Sequence, residues 1–449
     1  MALGAGRARV VRQLLVESLL PAVVGGLAGI CFAAWSVTML RNSLPESVQI
    51  PRLNEVGLNL PVLAFAIGAT TLSAVLVGLA PALQTLKRDL ARDLHAVSRS
   101  VTSSRKLRNV LVMAEVALAV VLVVAAGLML RSFVRLSRVD AGFHAEHVVT
   151  ARMLLLPVRE GSLRAETVRA MLTRIRALPG VTAAGSIGIL PMQGTNSGTL
   201  YYRADRPDPP ASSRPEGDVS IVTPGYFRAL GMPIIKGRDF VDADRMGSTQ
   251  VAILNQTAAR MLFPGEESLG KRLKVWWTNS PTVEVVGVVA DIRHSQLNSA
   301  PDPCLFMPND QQPFPFSALV VRSESDPVAL AKAIRRQIRE VDQDQGVAKV
   351  ETMTELMAGS IARPRIEAFL LTAFGVIALL LACIGIYGVI AFSVTQRFRE
   401  IGIRLALGAT SVSVFRMVPE DGFRLTLVGL AAGLGGALVL ARLLRSQLF

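Results

Sequence analysis

The stretch Arg399-Glu400-Ile401-Gly402-Ile403-Arg404-Leu405-Ala406-Leu407-Gly408-Ala409 decides the fold, because its second half also opens the chain. Ala2-Leu3-Gly4-Ala5 repeats Ala406-Leu407-Gly408-Ala409, and Met1–Ile30 aligns with Leu405–Leu434 without a gap. Val10 falls on Val414, Arg12 on Arg416, Gly25 on Gly429, Ala28 on Ala432 and Gly29 on Gly433. Self-similarity at a fixed offset marks a duplicated unit, and this one is too long for a solenoid. The expectation is a duplicated membrane module, its first copy lacking a beginning.

Composition agrees with a membrane protein. Of 449 residues, 51% are hydrophobic and 18% charged, against about 25% charged in an average soluble domain. Mean hydropathy is +0.43. The apolar residues gather in five runs, roughly 14–40, 60–86, 107–133, 367–395 and 423–443. Each exceeds the ~20 residues needed to cross a bilayer core.

The net charge of +14 is explained by its placement, and nucleic acid is not an expected partner. Lys87, Arg88, Arg92, Arg99, Arg105, Lys106 and Arg108 lie between the second and third spans. Arg397, Arg399, Arg404 and Arg416 follow the fourth. Basic short loops stay in the cytoplasm and meet anionic headgroups of the lipid bilayer. The long segment between spans three and four is then outside the cytoplasm. Cys31, Cys304 and Cys383 are isolated, so neither a disulfide framework nor a metal set follows. No signal-peptide cleavage site follows the basic start.

Three regions result: 1–134 with three spans, 135–365 as a folded domain, and 366–449 with two spans. The domain alternates strand and helix patterns. His147–Leu156, Val283–Ile292 and Ser317–Arg322 read as strands; Leu163–Leu178 and Pro327–Val341 read as helices. The expected class is α-helical membrane protein with a large α+β extracytoplasmic domain, in two lobes. Tyr202–Asp218, dense in Pro, Asp and Ser, reads as a surface loop or lobe junction.

Gly265-Glu266-Glu267-Ser268-Leu269-Gly270-Lys271 imitates a phosphate-binding loop, but Arg272 stands where a Mg²⁺-binding hydroxyl belongs. A helix over Gln256–Leu262 should precede it and a strand over Arg272–Trp277 should follow, the reverse of the required order. It reads as a structural turn. His95, His144, His147 and His294 lack metal spacing and an adjacent nucleophile, so no catalytic residue, metal or cofactor is expected.

Arg399–Ala409 resembles the cytoplasmic signature of ABC-transporter permeases related to the macrolide exporter MacB and the division protein FtsX. Pro224-Gly225-Tyr226-Phe227-Arg228, Gly237-Arg238-Asp239-Phe240, Phe263-Pro264-Gly265 with Gly270-Lys271-Arg272-Leu273, and Val286-Gly287-Val288-Val289-Ala290-Asp291 are similar to phrases of the MacB-like periplasmic core domain. With Ala114-Glu115-Val116-Ala117-Leu118, they look most like the duplicated orphan permeases first described in acidobacteria. In that family a unit has one span, a large extracytoplasmic domain and three further spans. The resemblance implies a chain truncated at both ends, beginning with the last two spans of unit one and stopping before the last span of unit two. It also implies a short cytoplasmic helix seated in a separate ATPase subunit.

The coupling residues are therefore Arg399, Glu400, Ile401, Gly402, Arg404, Leu407, Gly408 and Ala409, with Leu3, Gly4 and Ala5 as the partial first copy. Ile401, Leu405 and Gly408 share a helical face, and Glu400 and Arg404 are spaced i,i+4. Pro419 and Gly422 interrupt the second copy where the first has Leu15 and Ser18. Gly25/Gly29 and Gly429/Gly433 form equivalent G-x-x-x-G pairs that pack helices, within the chain or in a dimer. Glu115, inside span three, calls for a local partner such as Arg108 or a protonated carboxyl facing a neighbouring helix. Met353 onward, with Pro364, reads as one stiff run into span four.

The leading expectation is an inner-membrane permease subunit that hydrolyses no ATP and works with a cytoplasmic ABC ATPase in export or mechanotransmission. A second permease unit or homodimer and an outer periplasmic partner are further expected partners. The rivals are an FtsX-like extracytoplasmic regulator and a non-functional remnant.

Overall fold

The computed structural model describes residues 7–43, 57, 59–88, 97–154, 161–193, 197–276, 282–343, 347–406 and 419–443. Their helices are α1 (Arg7–Ser43), α2 (Leu60–Arg88), α3 (Val97–Ser137), α4 (Gly161–Arg176), α5 (Tyr226–Leu230), α6 (Gln256–Leu262), α7 (Pro327–Val341), α8 (Met353–Ser360), α9 (Ala362–Ala406) and α10 (Pro419–Leu443). The chain divides into two compact units, Met1–Phe133 with Pro364–Leu448, and 134–363.

Among the described residues, four helices are long and apolar enough to cross a membrane: Leu15–Met39, Asn109–Ser137, Ala362–Phe392 and Gly422–Leu443. The fifth expected span falls on α2, whose described apolar part, Leu60–Val75, is shorter than a span; its later side chains lie outside the described residues. α3 begins well before its apolar stretch, so Arg99, Arg105, Lys106 and Arg108 stand on a helix rather than in a loop. α3, α9 and α10 pack around Val112, Val116, Ala119, Ala382, Val389 and Leu425.

The second unit is α+β, with an 11-stranded sheet. Its strands are β1 (Val148–Leu154), β2 (Val181–Ile187), β3 (Ser197–Arg203), β4 (Glu216–Val222), β5 (Ile234–Gly237), β6 (Val251–Asn255), β7 (Arg272–Val275), β8 (Val283–Val289), β9 (Cys304–Pro308), β10 (Phe316–Ser323) and β11 (Val347–Thr352). The order β11-β1-β10-β2 makes an antiparallel lobe, with Thr150 opposite both Val320 and Glu351. α4 and α7 bury Met171, Ile175, Ile334 and Ile338 on Ala151, Leu319 and Val321 of one sheet face.

The remaining strands close on themselves. β4-β3-β7-β8-β6-β9 returns to β4 through a parallel β4–β9 pair, Val219 opposite Leu305. This is a closed six-strand barrel, with β5 added to β8. Period-two alternation sends Tyr201, Val219, Ile221, Ala252, Leu254, Leu273, Val283, Val285, Leu305 and Met307 to its interior. β2 meets β4 only at Ile187 opposite Val222. At that junction Phe227, Phe306, Ile253, Val289 and Leu230 fill a third core.

Local chemistry sets the element ends. Asp326 caps α7 through the Ala329 N–H, and Pro327 supplies its first turn. Thr352 and Glu355 form a capping box on α8. Two expectations need correction. Of the surface loop and the lobe junction expected at Tyr202–Asp218, the loop holds for 204–215 only: Tyr202 and Arg203 end β3, Glu216–Asp218 begin β4, and the loop links two paired barrel strands rather than the lobes. The run from Met353 is two helices, because α8 ends with a C-cap at Ile361 and α9 starts at Ala362.

Candidate functional site

The Arg399–Ala409 segment does not form a separate helix where it is described. α9 is a single helix of 45 residues that contains both the span and Arg399, Glu400, Ile401, Gly402 and Arg404. At ~1.5 Å per residue, Ser393–Ala406 carries it about 20 Å past the apolar part. Leu407, Gly408 and Ala409 lie outside the described residues, as do Leu3, Gly4 and Ala5 of the first copy.

Behind this helix, small residues set the spacing of the bundle. A methyl group on Gly429 of α10 would lie 2.9 Å from Cβ of Val116 and 3.0 Å from the Met113 carbonyl oxygen. One on Gly433 would lie 2.7 Å from Cβ of Val120 and 2.8 Å from the Ala117 carbonyl oxygen. Both glycines thus let α10 rest directly on α3. Gly422 seats on Ile390 of α9, and Gly375 of α9 rests on the backbone of α3 at Leu122 and Val123. The carboxyl of Glu115 on α3 is lodged against Gly385 of α9, where a side chain on position 385 would collide with it. Glu115 thus faces a neighbouring helix; the Arg108 side chain, the alternative partner, lies outside the described residues.

In the extracytoplasmic unit three of the four recognisable phrases meet at the junction of the lobes, while Phe263 and Leu273 of the fourth lie in the barrel core. Gly225 takes φ +86° to start α5, and its N–H donates to Asp239, as does that of Phe240. Phe227 packs on Phe240 and Phe306, at 6.3 and 5.1 Å between ring centres. Arg238 forks onto Asp244 at 2.7 and 3.0 Å. Gly287 leaves room for the Arg238 carbonyl. Asp291 accepts from the Thr257 N–H and hydroxyl and from Arg260. Burial raises the Asp239 pKa, opposed by its two backbone donors. These phrases build structure and carry no reacting group.

The Gly265–Lys271 turn lies between α6 and β7, the helix–turn–strand order expected from the sequence; Trp277 lies outside the described residues. Its Gly270 and Lys271 N–H groups donate to Val285 and Ser268 carbonyls. Its Glu266 pairs with Arg203 and Arg206, and its Glu267 with Lys236. The amides of Glu266, Gly270 and Lys271 are thus already spent on backbone carbonyls.

Sequence reasoning missed one buried polar group. His294 is 4% exposed and its Nε2 lies 3.3 Å from Oγ of Ser220, which Sγ of Cys304 approaches to 3.8 Å. Burial lowers the His294 pKa to about 4 and raises the Cys304 thiol well above its usual range. A lone histidine after a strand gives no signal of burial. Among the described residues, no group of three or more His, Cys, Asp or Glu is placed to hold a metal ion.

Apolar helices long enough to span a bilayer, joined to one large α+β extracytoplasmic domain, define a multi-span membrane protein. The chain matches the MacB-like periplasmic core domain over residues 109–340 and the FtsX-like permease C-terminal domain over 1–90 and 372–449. It belongs to this MacB/FtsX-like family of ABC transporter permeases. An uncharacterized ABC transporter permease, YknZ, of Bacillus subtilis is 30% identical over 49% of this chain and 56% of its own length. The macrolide export ATP-binding/permease protein MacB of Azoarcus sp. is 28% identical over 64% of this chain and 44% of its own. The chain thus spans about half the length of these curated relatives. The crystal structure of the periplasmic region of MacB from Actinobacillus actinomycetemcomitans matches 49% of this chain and 94% of that one, with 14% identity and a TM-score of 0.33.

Proposed function

We propose that the chain is the non-hydrolytic permease subunit of an ABC-type export or mechanotransmission system in the inner (plasma) membrane, coupling a separate cytoplasmic ATPase to its extracytoplasmic domain. The continuity of α9 carries this reading. One helix bears the apolar span and the Arg399–Ala406 segment, so a displacement at its cytoplasmic end is passed into the bundle without a flexible joint. Rigid elements of this kind are the physical means by which distant sites are coupled. The tight α3 contacts of α9 and α10 spread the displacement across all three helices. An outer periplasmic partner, and a second permease unit or a second copy, complete the proposed assembly.

The test is capture of the ATPase from detergent extracts by the tagged chain, with ATP hydrolysis in the captured fraction as the second readout. Gly408→Trp blocks close approach at the motif and should abolish capture while leaving membrane insertion intact, since no span is touched. Full capture and undiminished hydrolysis with this variant would reduce the segment to a membrane-surface linker.

A further inference from the structure

We infer that the groove between β2 and the 224–228 segment receives an extended segment of an extracytoplasmic partner protein, its backbone beside the open edge of β2 and one acidic side chain on Arg228. The inference deepens the outer-partner part of the proposed function and rests on it for the side of the membrane.

The edge comes first. β2 is paired along its length with β10, but on its other side it meets β4 only at Ile187 opposite Val222. The Ser186 carbonyl accepts from the Thr223 N–H, and the Ser186 N–H donates to the Thr223 hydroxyl. Both groups therefore face away from β10. Beyond Thr223 the chain turns through Gly225 into α5 and leaves the strand. Backbone groups two residues apart share an edge, so Ala184 points its N–H and C=O the same way as Ser186. Its carbonyl is taken by Arg176, at 2.9 and 3.1 Å. Its N–H has no acceptor among the described residues. A strand edge with an unpaired donor is a template for one more extended segment.

The groove facing this edge has a volume of about 450 Å³, inside the roughly 300–1,000 Å³ range of ligand clefts. Val181 and Val241 give it apolar walls. Two cations line it, and they differ. Arg176 is held in place, since besides Ala184 it donates to the Pro224 carbonyl at 2.6 Å. Arg228 is exposed, and its guanidinium makes no hydrogen bond or ion pair among the described residues. Free guanidinium donors select a carboxylate in fork geometry. Asp242 also lines the groove, with no ion pair of its own among the described residues. A polyanionic surface such as a layer of phosphate headgroups would set like charge against it. A segment with a single acidic residue satisfies Arg228 without that cost.

The probe is the labelled synthetic peptide acetyl-Thr-Val-Glu-Val-Thr-amide, added to the full chain in phosphatidylcholine nanodiscs and read by fluorescence anisotropy. Saturable binding is expected, with slower hydrogen exchange over residues 181–186. Arg228→Ala should weaken binding about tenfold. A peptide with Gln in place of its Glu should lose as much against the unaltered chain, where no folding defect can intervene. Arg228→Glu should restore binding to a peptide carrying Lys at that place. Arg335→Ala, at an exposed position of α7 outside the groove, should change nothing. Absence of saturable binding overturns the inference, as does binding indifferent to the Gln peptide or to Arg228→Ala. Binding abolished by phosphatidylglycerol in the discs would assign the groove to lipid, and self-association lost with Arg228→Ala would assign it to a second copy; either result also overturns it. Capture of the ATPase should be unaffected by Arg228→Ala, so failure at the groove is distinguishable from failure of the coupling reading.

Discussion

The membrane bundle and the extracytoplasmic domain are held by different physics. In the bundle, α10 and α9 rest on α3 through glycines, and the core of Val112, Val116, Ala119, Ala382, Val389 and Leu425 is wholly apolar. In the domain, buried polar groups are knitted into the packing. Asn255 alone accepts from the Ala258 and Cys304 N–H groups and donates to the Asp302 carbonyl. Lipid offers no hydrophobic reward for association, so steric fit decides the bundle. Water offers that reward to the domain, where each buried polar atom must then find a partner. The bundle should therefore answer to volume, and the domain to proton concentration.

The largest contrast tests whether the regions face different compartments. With the outer barrier permeabilised, a cysteine at Ser213 should react with an impermeant thiol reagent in intact cells and one at Ser103 should not. The reverse pattern would invert the topology. Next comes pH. Burial lowers the His294 pKa from its ordinary 6.5 to about 4. Between these values the unfolded chain binds a proton that the folded domain refuses, so stability is complete above about 6.5 and falls as pH drops toward 4. The loss is up to about 3 kcal/mol. Hydrogen exchange, corrected for its intrinsic pH dependence, should accelerate in β4, β6 and β9 but not in α3, and His294→Gln should flatten the response.

Volume is the third lever. Gly433→Val drives a side chain into Val120 and the Ala117 carbonyl and should cost about 1–3 kcal/mol of bundle stability. Gly29→Val, at the repeated position, should stay within about 0.5 kcal/mol for the chain alone. Equal shifts in thermal unfolding would erase the distinction between the two copies. The smallest effect is Glu400→Arg, where the proposed exposed pair with the ATPase would contribute ~0.2–1 kcal/mol and be screened. Capture of the ATPase should weaken modestly, and less at high salt.

Local signals were legible wherever one element carries its own cause. Pro327–Val341 was readable at both ends because Asp326, Pro327 and the apolar spacing of Leu330, Ile334 and Ile338 agree. The strand around Val148–Leu154 and the helix–turn–strand order at Gly265–Lys271 were readable for similar reasons. Barrel closure was not. It depends on the parallel pairing of β4 with β9, Asp218 opposite Cys304, and no local pattern announces a partner so far along the chain. The two G-x-x-x-G pairs are alike as sequence, and only their neighbours separate them. The motif residues Arg399–Arg404 were legible as helical, but their fusion to the span in α9 was not.

The pairing of β1 has a consequence for biogenesis. Among the described residues that strand pairs with β10 and β11, and the Thr150 hydroxyl donates to the Glu351 carbonyl across 201 residues of sequence. β1 is the first strand of the domain to cross the membrane, and its partners are the last. Contacts of such wide separation form late and slowly. The translocated segment must wait with its first edge unpaired until almost the whole domain has been exported, when α9 is about to enter the bilayer. During that interval the exposed strand is the place where an extracytoplasmic chaperone has most to protect.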